Sequence, residues 1–230
     1  MSLPANGPGV FVIIAAYNEA ATIGTVVEAL MGKDYTIVVV DDGSDQSIQP
    51  LLQDKPVYLL SHKINLGQGA ALQTGIEFAL EKGAEVIVTF DADGQHRTPD
   101  IPVLVEALTR TSADIAFGSR FLQTTHGVPL RRKFLLQAAR FVNLLFTGLM
   151  LSDAHNGLRA ITAAAAKKIK IEENRMAHAT EILWQVEKLN LRYVEVPVQI
   201  NYTTYSTQKG QGLADAFRIL FDLFLNKIFK

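Results

Sequence analysis
The feature that most constrains this chain is an alternation running through its first half. Short, mostly apolar runs rich in β-branched residues occur at Val10–Ala16, Thr36–Val40, Val57–Leu60, Glu85–Phe90 and Asp114–Gly118. Runs of this length and composition read as strands buried on both faces, as in a parallel sheet. Between them lie stretches of helical spacing, which predict helices over Ala20–Met31, Gly69–Lys82 and Ile101–Arg110, with Gly83 closing the second. Parallel neighbours need crossover helices, so the pattern predicts an α/β fold with a doubly wound, mostly parallel sheet and right-handed crossovers. From about Arg131 the rhythm shifts to longer helices, with one late strand predicted over Tyr193–Ile200.

The strands end in polar clusters. The first runs into Tyr17-Asn18-Glu19, the second into Asp41-Asp42-Gly43-Ser44 and the fourth into Asp91-Ala92-Asp93-Gly94-Gln95-His96. In an open α/β sheet the carboxyl edge is where ligands bind. Each cluster alone reads equally well as a helix start or a turn, but three at one edge converge on one crevice. Asp91 and Asp93 repel each other unless protons or a cation intervene. Mg²⁺ commonly takes one or two carboxylates together with substrate phosphates, which makes a metal–diphosphate site the functional reading. Tyr17 is placed to pack on a flat base, with Glu19 and Asp42 as acceptors for base or ribose. Oxygen-rich chemistry of this kind suits Mg²⁺ or Mn²⁺ better than Zn²⁺. The five histidines are therefore read as structural or supporting, with most interest in His96 and His155.

Composition removes several classes. Lys plus Arg is 22 against 23 for Asp plus Glu, which gives no basic excess for nucleic acid. Hydrophobic residues make up 48%, enough for a substantial core. With no cysteine, disulfides and thiolate metal sites are excluded. The stretch Met1–Gly9 lacks the charged start and apolar run of a signal peptide, so a cytoplasmic location is expected. A dehydrogenase is disfavoured because no Gly-x-Gly-x-x-Gly follows the first strand. A sugar nucleotidyltransferase is disfavoured because Ala15–Glu19 is not a Gly- and Arg-rich phosphate loop.

Taken in order, Ala-Tyr-Asn-Glu, Asp-Asp-Gly-Ser, Asn65-Leu66-Gly67-Gln68-Gly69-Ala70 and Asp91-Ala92-Asp93-Gly94-Gln95-His96 resemble the family 2 glycosyltransferases. The similarity is to the branch of dolichyl-phosphate mannosyltransferase and other polyprenyl-phosphate glycosyltransferases. It continues through Gly118-Ser119-Arg120, Asp153 to Arg159 and Tyr202 to Gln211, nearly the whole chain. The resemblance implies one GT-A domain over residues 1–230. Within it, about 10–120 would form the nucleotide-sugar-binding half, about 121–212 the acceptor half and 213–230 an amphipathic C-terminal helix. It implies a donor site of Ala15, Tyr17, Glu19, Asp42, Asp91, Ala92 and Lys209, and a cation, Mg²⁺ or Mn²⁺, on Asp93 with Gln95. Arg120, with Arg131 or Arg132, would hold an acceptor phosphate. Many relatives have Pro in place of Ala15, and the arginine that follows the tyrosine in close dolichyl-phosphate enzymes is missing from Tyr202–Lys209.

The activity so implied is inverting, metal-dependent transfer of a sugar from a UDP-, GDP- or dTDP-sugar to a polyprenyl phosphate or a glycan precursor of the cell envelope. A lipid phosphate is already ionised at neutral pH and needs orientation by arginines. A sugar hydroxyl would need a base, for which Asp153 and Glu181 are the candidates. A partner-dependent or non-catalytic nucleotide-sugar-binding protein remains the alternative. Two segments carry wide apolar faces: Phe134–Leu151, entered through Arg131-Arg132-Lys133, and Leu213–Lys230. Neither is an unbroken apolar run of about 18 residues, so neither reads as a spanning helix. They suit a membrane interface, at the cytoplasmic face, or a small membrane-protein partner. Core packing and a second copy of the chain are the other occupants such faces can have.

Overall fold
The computed structural model describes residues 9–122, 141, 144–145, 147–174 and 177–201. The elements run β1 Val10–Ala16, α1 Ile23–Leu30, β2 Thr36–Asp41, α2 Gln49–Leu52, β3 Val57–Ser61, α3 Gln68–Glu81, β4 Val86–Asp91, α4 Asp100–Thr111 and β5 Ile115–Ser119. After these come β6 Arg159–Thr162, α5 Ala163–Ala166, α6 His178–Lys188 and β7 Tyr193–Pro197. All seven strands join one sheet in the order β3-β2-β1-β4-β6-β5-β7. Every neighbouring pair is parallel except those made by β6, which runs antiparallel to both β4 and β5.

Helices cover both faces, as continuous apolar strands require. On one face Ile23, Val27 and Leu30 of α1 and Ile101, Leu104 and Leu108 of α4 pack on Val12, Ile14, Val39, Val88 and Phe90. On the other, Leu72 and Ile76 of α3 and Ile182, Leu183 and Val186 of α6 pack on Ile13, Val38, Ile87, Ile115 and Phe117. Gly75 sets the approach of α3 to the sheet, because a Cβ there would collide with the side chain of Ile13.

The sequence pattern does not show β6. It has four residues, opens with an arginine and contains an alanine, too little for a periodic signal. Its ladder reveals it: Thr89 of β4 and Phe117 of β5 both pair with Arg159. Helix α1 begins later than predicted because the Glu19 carbonyl accepts from the amides of Thr22 and Ile23, forming a turn ahead of the helix. The last strand stops at Pro197, which has no amide to extend a ladder, and Ile200 makes only an isolated bridge to His96.

Register brings the polar clusters level. Ala15 lies opposite Asp91 of β4 and Ala16 opposite Asp41 of β2. The carboxyl ends of β2, β1 and β4 therefore form one row, which the chain direction extends to the start of β6.

Candidate active site
A cleft of about 630 Å³ opens along that row, within the usual range for small-molecule sites. Its lining includes Ala15, Tyr17, Glu19, Asp42, Asp91, Ala92 and Asp93, so the expected donor residues of the first four strands meet in one place. Asn65, Gly67 and Gln68 add a wall from the start of α3, and His155, Gly157, Arg159, His178 and Ala179 close the far end.

Each cluster is built locally. Asn18 has φ +56, a left-handed turn that lets β1 leave the sheet. Its side chain exchanges hydrogen bonds with Asp45, donating to Oδ2 and accepting from the amide, both at 2.9 Å. Asp42 is 2% exposed. Its Oδ1 faces His62 Nδ1 at 2.7 Å and accepts from the Leu66 amide at 3.0 Å, while Oδ2 accepts from the Gly67 amide at 2.7 Å. The carboxylate thus sits over the amides that lead into α3, where a negative charge is favoured by the helix dipole. Gly67, at φ +104, adopts backbone that a side chain would strain.

The Asp91–Asp93 pair is asymmetric. Asp91 Oδ2 meets His96 Nε2 at 2.7 Å, and Oδ1 accepts from Gln68 Nε2 at 3.4 Å. Burial disfavours the Asp91 charge, but His96, Arg159 and His178 outweigh it and hold its pKa below the ordinary carboxylate range. Asp93 moves the other way. Burial raises its pKa first; the Gln95 amide, 3.0 Å from Oδ1, opposes this, and the charges of Asp91 and Glu19 add to the rise. A carboxylate held among others in this way gains from a cation. Among the described residues no group of three His, Cys, Asp or Glu side chains is placed to hold a metal ion. The hard oxygen donors fit Mg²⁺ or Mn²⁺ shared with a diphosphate, which needs only one or two carboxylates. Gln95 does not line the cleft; it supports the turn through its amide and accepts from the Asn201 amide with its carbonyl.

Neither proposed base lines the cleft. Asp153 is buried and forms a two-pronged pair with Arg120: Nε to Oδ2 at 2.7 Å and Nη2 to Oδ1 at 2.8 Å, with the Arg120 amide 3.1 Å from Oδ2. Asn156 adds a bond at 3.3 Å. Both oxygens of Asp153 are thus engaged, and the pair fixes the direction of the Arg120 side chain. The chain around it is pinned by Glu195, whose Oε1 accepts from the Ser152 amide at 2.7 Å and hydroxyl at 2.6 Å. Glu181 accepts from the amides of Glu172 and Glu173 at 3.0–3.1 Å and fastens that loop to α6. Burial and the charges of Glu173 and Glu172 raise its pKa despite those bonds. His62 and His96 stand behind Asp42 and Asp91, the supporting role the sequence suggests. Arg131, Arg132, Lys209, the 213–230 helix and most of Phe134–Leu151 lie outside the described residues.

The cleft also contains residues the sequence did not single out as ligands. Arg159 is 2% exposed, and its pKa is pushed down to about 10 by burial, against the pull of Asp91 and Asp153. His178 is buried at the start of α6. The available signal was an arginine after Asn156-Gly157-Leu158, in a segment too short to read as a strand.

A cleft at the carboxyl edge of a doubly wound sheet, with paired acids at its centre, is the arrangement of an α/β enzyme that binds its ligand across the strand ends. The chain belongs to glycosyl transferase family 2, whose model matches residues 11–170, and it is a glycosyltransferase. It is 31% identical over 243 residues, covering 96% of this chain and 97% of the relative, to a UDP-N-acetylglucosamine–dolichyl-phosphate N-acetylglucosaminyltransferase of Methanococcus voltae. It is 32% identical over 203 residues, 82% of each chain, to an undecaprenyl-phosphate mannosyltransferase of Micrococcus luteus. In three dimensions it resembles glucosyl-3-phosphoglycerate synthase of Mycobacterium tuberculosis, solved with Mn²⁺, UDP and glucosyl-3-phosphoglycerate. That match has a TM-score of 0.67 at 18% identity and covers 95% of this chain and 78% of the other. The fold is accordingly GT-A.

Proposed function
We propose that this chain transfers a glycosyl group from a nucleoside-diphosphate sugar to a polyprenyl phosphate, with inversion at the anomeric carbon. The observation that carries the reading is the single cleft that joins Tyr17, Glu19 and Asp42 to Asp91 and Asp93. The polyprenyl-phosphate acceptors named for the relatives from Methanococcus and Micrococcus supply the acceptor class.

In this reading the nucleoside lies over β1 and β2, against Tyr17 and the anchored Asp42. The diphosphate lies over the end of β4. Asp93 would hold Mg²⁺ or Mn²⁺, which supplies charge neutralisation of the departing diphosphate as a Lewis acid. An acceptor phosphate oxygen, already ionised, attacks the anomeric carbon from the face opposite the diphosphate. The new C–O bond forms as the bond to the β-phosphate oxygen breaks, and the nucleoside diphosphate leaves. No protein base is needed, in keeping with the positions of Asp153 and Glu181 outside the cleft lining. Arg120, aimed by Asp153, orients the acceptor phosphate, with Arg131 or Arg132 as a second contact and Lys209 at the donor diphosphate. Among the described residues no helix is long and apolar enough to cross a membrane. In this reading the lipid acceptor is met at the cytoplasmic membrane face, through the apolar segments 134–151 and 213–230 or a small membrane-protein partner.

The test is transfer of label from UDP-, GDP- and dTDP-sugars to a short-chain polyprenyl phosphate with Mn²⁺ or Mg²⁺. A labelled lipid product that is lost with chelator and with Asp93→Ala is expected. Nucleotide binding without any transfer would favour the non-catalytic alternative.

A further inference from the structure
We propose that Arg159 is a donor-binding residue, whose guanidinium takes an oxygen of the transferred sugar. The assignment rests on the donor reading above and extends it to a residue at the inner end of the cleft.

Arg159 opens β6, and its ladder partners Thr89 and Phe117 share its side of the sheet. Asp91, two residues beyond Thr89, points to that same side. Gly157 keeps this region close: a Cβ there would collide with the Asp91 carboxylate, and the Gly157 carbonyl accepts from Thr89 Oγ1 at 2.6 Å. The guanidinium rests 5.9 Å from the centre of the Phe117 ring. It is buried yet lines the cleft.

One nitrogen of the side chain lacks the partner such burial demands: Nε is enclosed and makes no hydrogen bond. The two acids whose charge Arg159 feels are Asp91 and Asp153, and both are engaged elsewhere. Asp91 pairs with His96 at 2.7 Å and Asp153 with Arg120 at 2.7 Å. A buried charged donor left without an acceptor is unfavourable, and an acceptor arriving with a ligand removes that penalty. The order of strands identifies the part of the ligand. The cleft runs from β2 across β1 to β4 and then β6. With nucleoside over β2 and β1 and diphosphate at Asp93, the group that reaches β6 is the sugar.

The experiment compares wild type, Arg159→Met and Arg159→Lys. Calorimetry with Mn²⁺ first identifies which of UDP, GDP and dTDP binds wild type. It then measures the matching nucleoside monophosphate, diphosphate and diphosphate-hexoses, including the glucose, mannose and N-acetylglucosamine forms. Arg159→Met is expected to weaken the best diphosphate-sugar about tenfold or more, as loss of a charged hydrogen bond should, and the diphosphate less than threefold. Arg159→Lys keeps the charge and should lose less. In wild type, the Arg159 Nε–H resonance, assigned by its absence from the lysine variant, should move on adding the diphosphate-sugar and hardly at all on adding the diphosphate. This readout holds even where the methionine variant does not fold. Equal weakening of diphosphate and diphosphate-sugar would place the side chain at the phosphates and overturn the assignment. Unchanged affinities, or an unmoved resonance, would also overturn it. Failure of wild type to bind any nucleoside diphosphate would instead overturn the donor reading beneath it.

Discussion

Two carboxylates at the same sheet edge, Asp42 and Asp91, each meet a histidine at 2.7 Å, yet they end differently. Around Asp42 the network closes: three bonds converge on the carboxylate, and the far nitrogen of His62 lies 3.0 Å from Thr74 Oγ1. Around Asp91 it stays open. Oδ1 has only a long contact to Gln68, His96 Nδ1 has no partner, and Arg159 Nε has none either. The first acid organises backbone; the second is held by a side chain in a region with capacity left for a ligand. Similar residues and similar strand positions thus give a scaffold at β2 and a site at β4.

The largest effect should come from the open side. Asp93→Ala should lower turnover by roughly 10²–10³-fold, as loss of a main charge-stabilising group does. In metal-free buffer its melting temperature should not fall, because Asp93 is held among like charges. A large loss of metal-free stability would show that Asp93 belongs to the scaffold instead. Asp42→Ala should show the reverse emphasis. It strands His62 and the amides of Leu66 and Gly67, and should cost about 3 kcal/mol in urea unfolding. Nucleotide affinity would suffer as the start of α3 loosens.

His96→Ala sharpens the contrast at a smaller scale, about 1.5 kcal/mol for one charged hydrogen bond. The Asp91 pKa is depressed in the folded protein, so its stabilising contribution is present above the unfolded value of 3.8 and is lost as pH falls through the folded one. The stability gap between wild type and His96→Ala should therefore narrow between pH 5 and pH 3, followed by urea unfolding. A constant gap would mean that His96 acts through packing against Phe90, its edge-on neighbour at 5.5 Å. The smallest effect belongs to Glu181. Its folded pKa is raised above 4.5, so its contribution declines as pH rises from there through the folded value. Wild type should lose ground to Glu181→Gln between pH 4 and pH 6, while turnover at neutral pH stays near wild type.

Much of this was legible in the residues because the physics involved is local. Val10–Ala16 and Val86–Asp91 announce strands by composition, and strand ends in an α/β sheet have a fixed meaning. Tyr17, Glu19, Asp42 and Asp91 could therefore be brought together from the residues alone, while Ala15 and Ala92 came from the resemblance to family 2. What escaped depends on pairing between distant segments. β6 is a strand only because β4 and β5 flank it, so no strand was predicted at Arg159 and no ligand role was assigned to it. Asp153 and Glu181 looked like free carboxylates because Arg120 and the amides of Glu172 and Glu173 reach them only in the folded chain. Asp42 could be expected in the cleft, but its capture of the start of α3 could not, since Leu66 and Gly67 offer backbone atoms that any sequence has.

The central claim is that the cleft binds a nucleoside diphosphate whose phosphates share a cation with Asp93. The most direct test is thermal unfolding of wild type and Asp93→Ala with UDP, GDP and dTDP, each with and without Mn²⁺. One nucleotide at about 100 times its dissociation constant should stabilise wild type by roughly 2.7 kcal/mol, or about 5–10 °C, with Mn²⁺. The shift should shrink without Mn²⁺ and in the variant. No shift with any nucleotide, or an equal shift without metal and in Asp93→Ala, would contradict the claim.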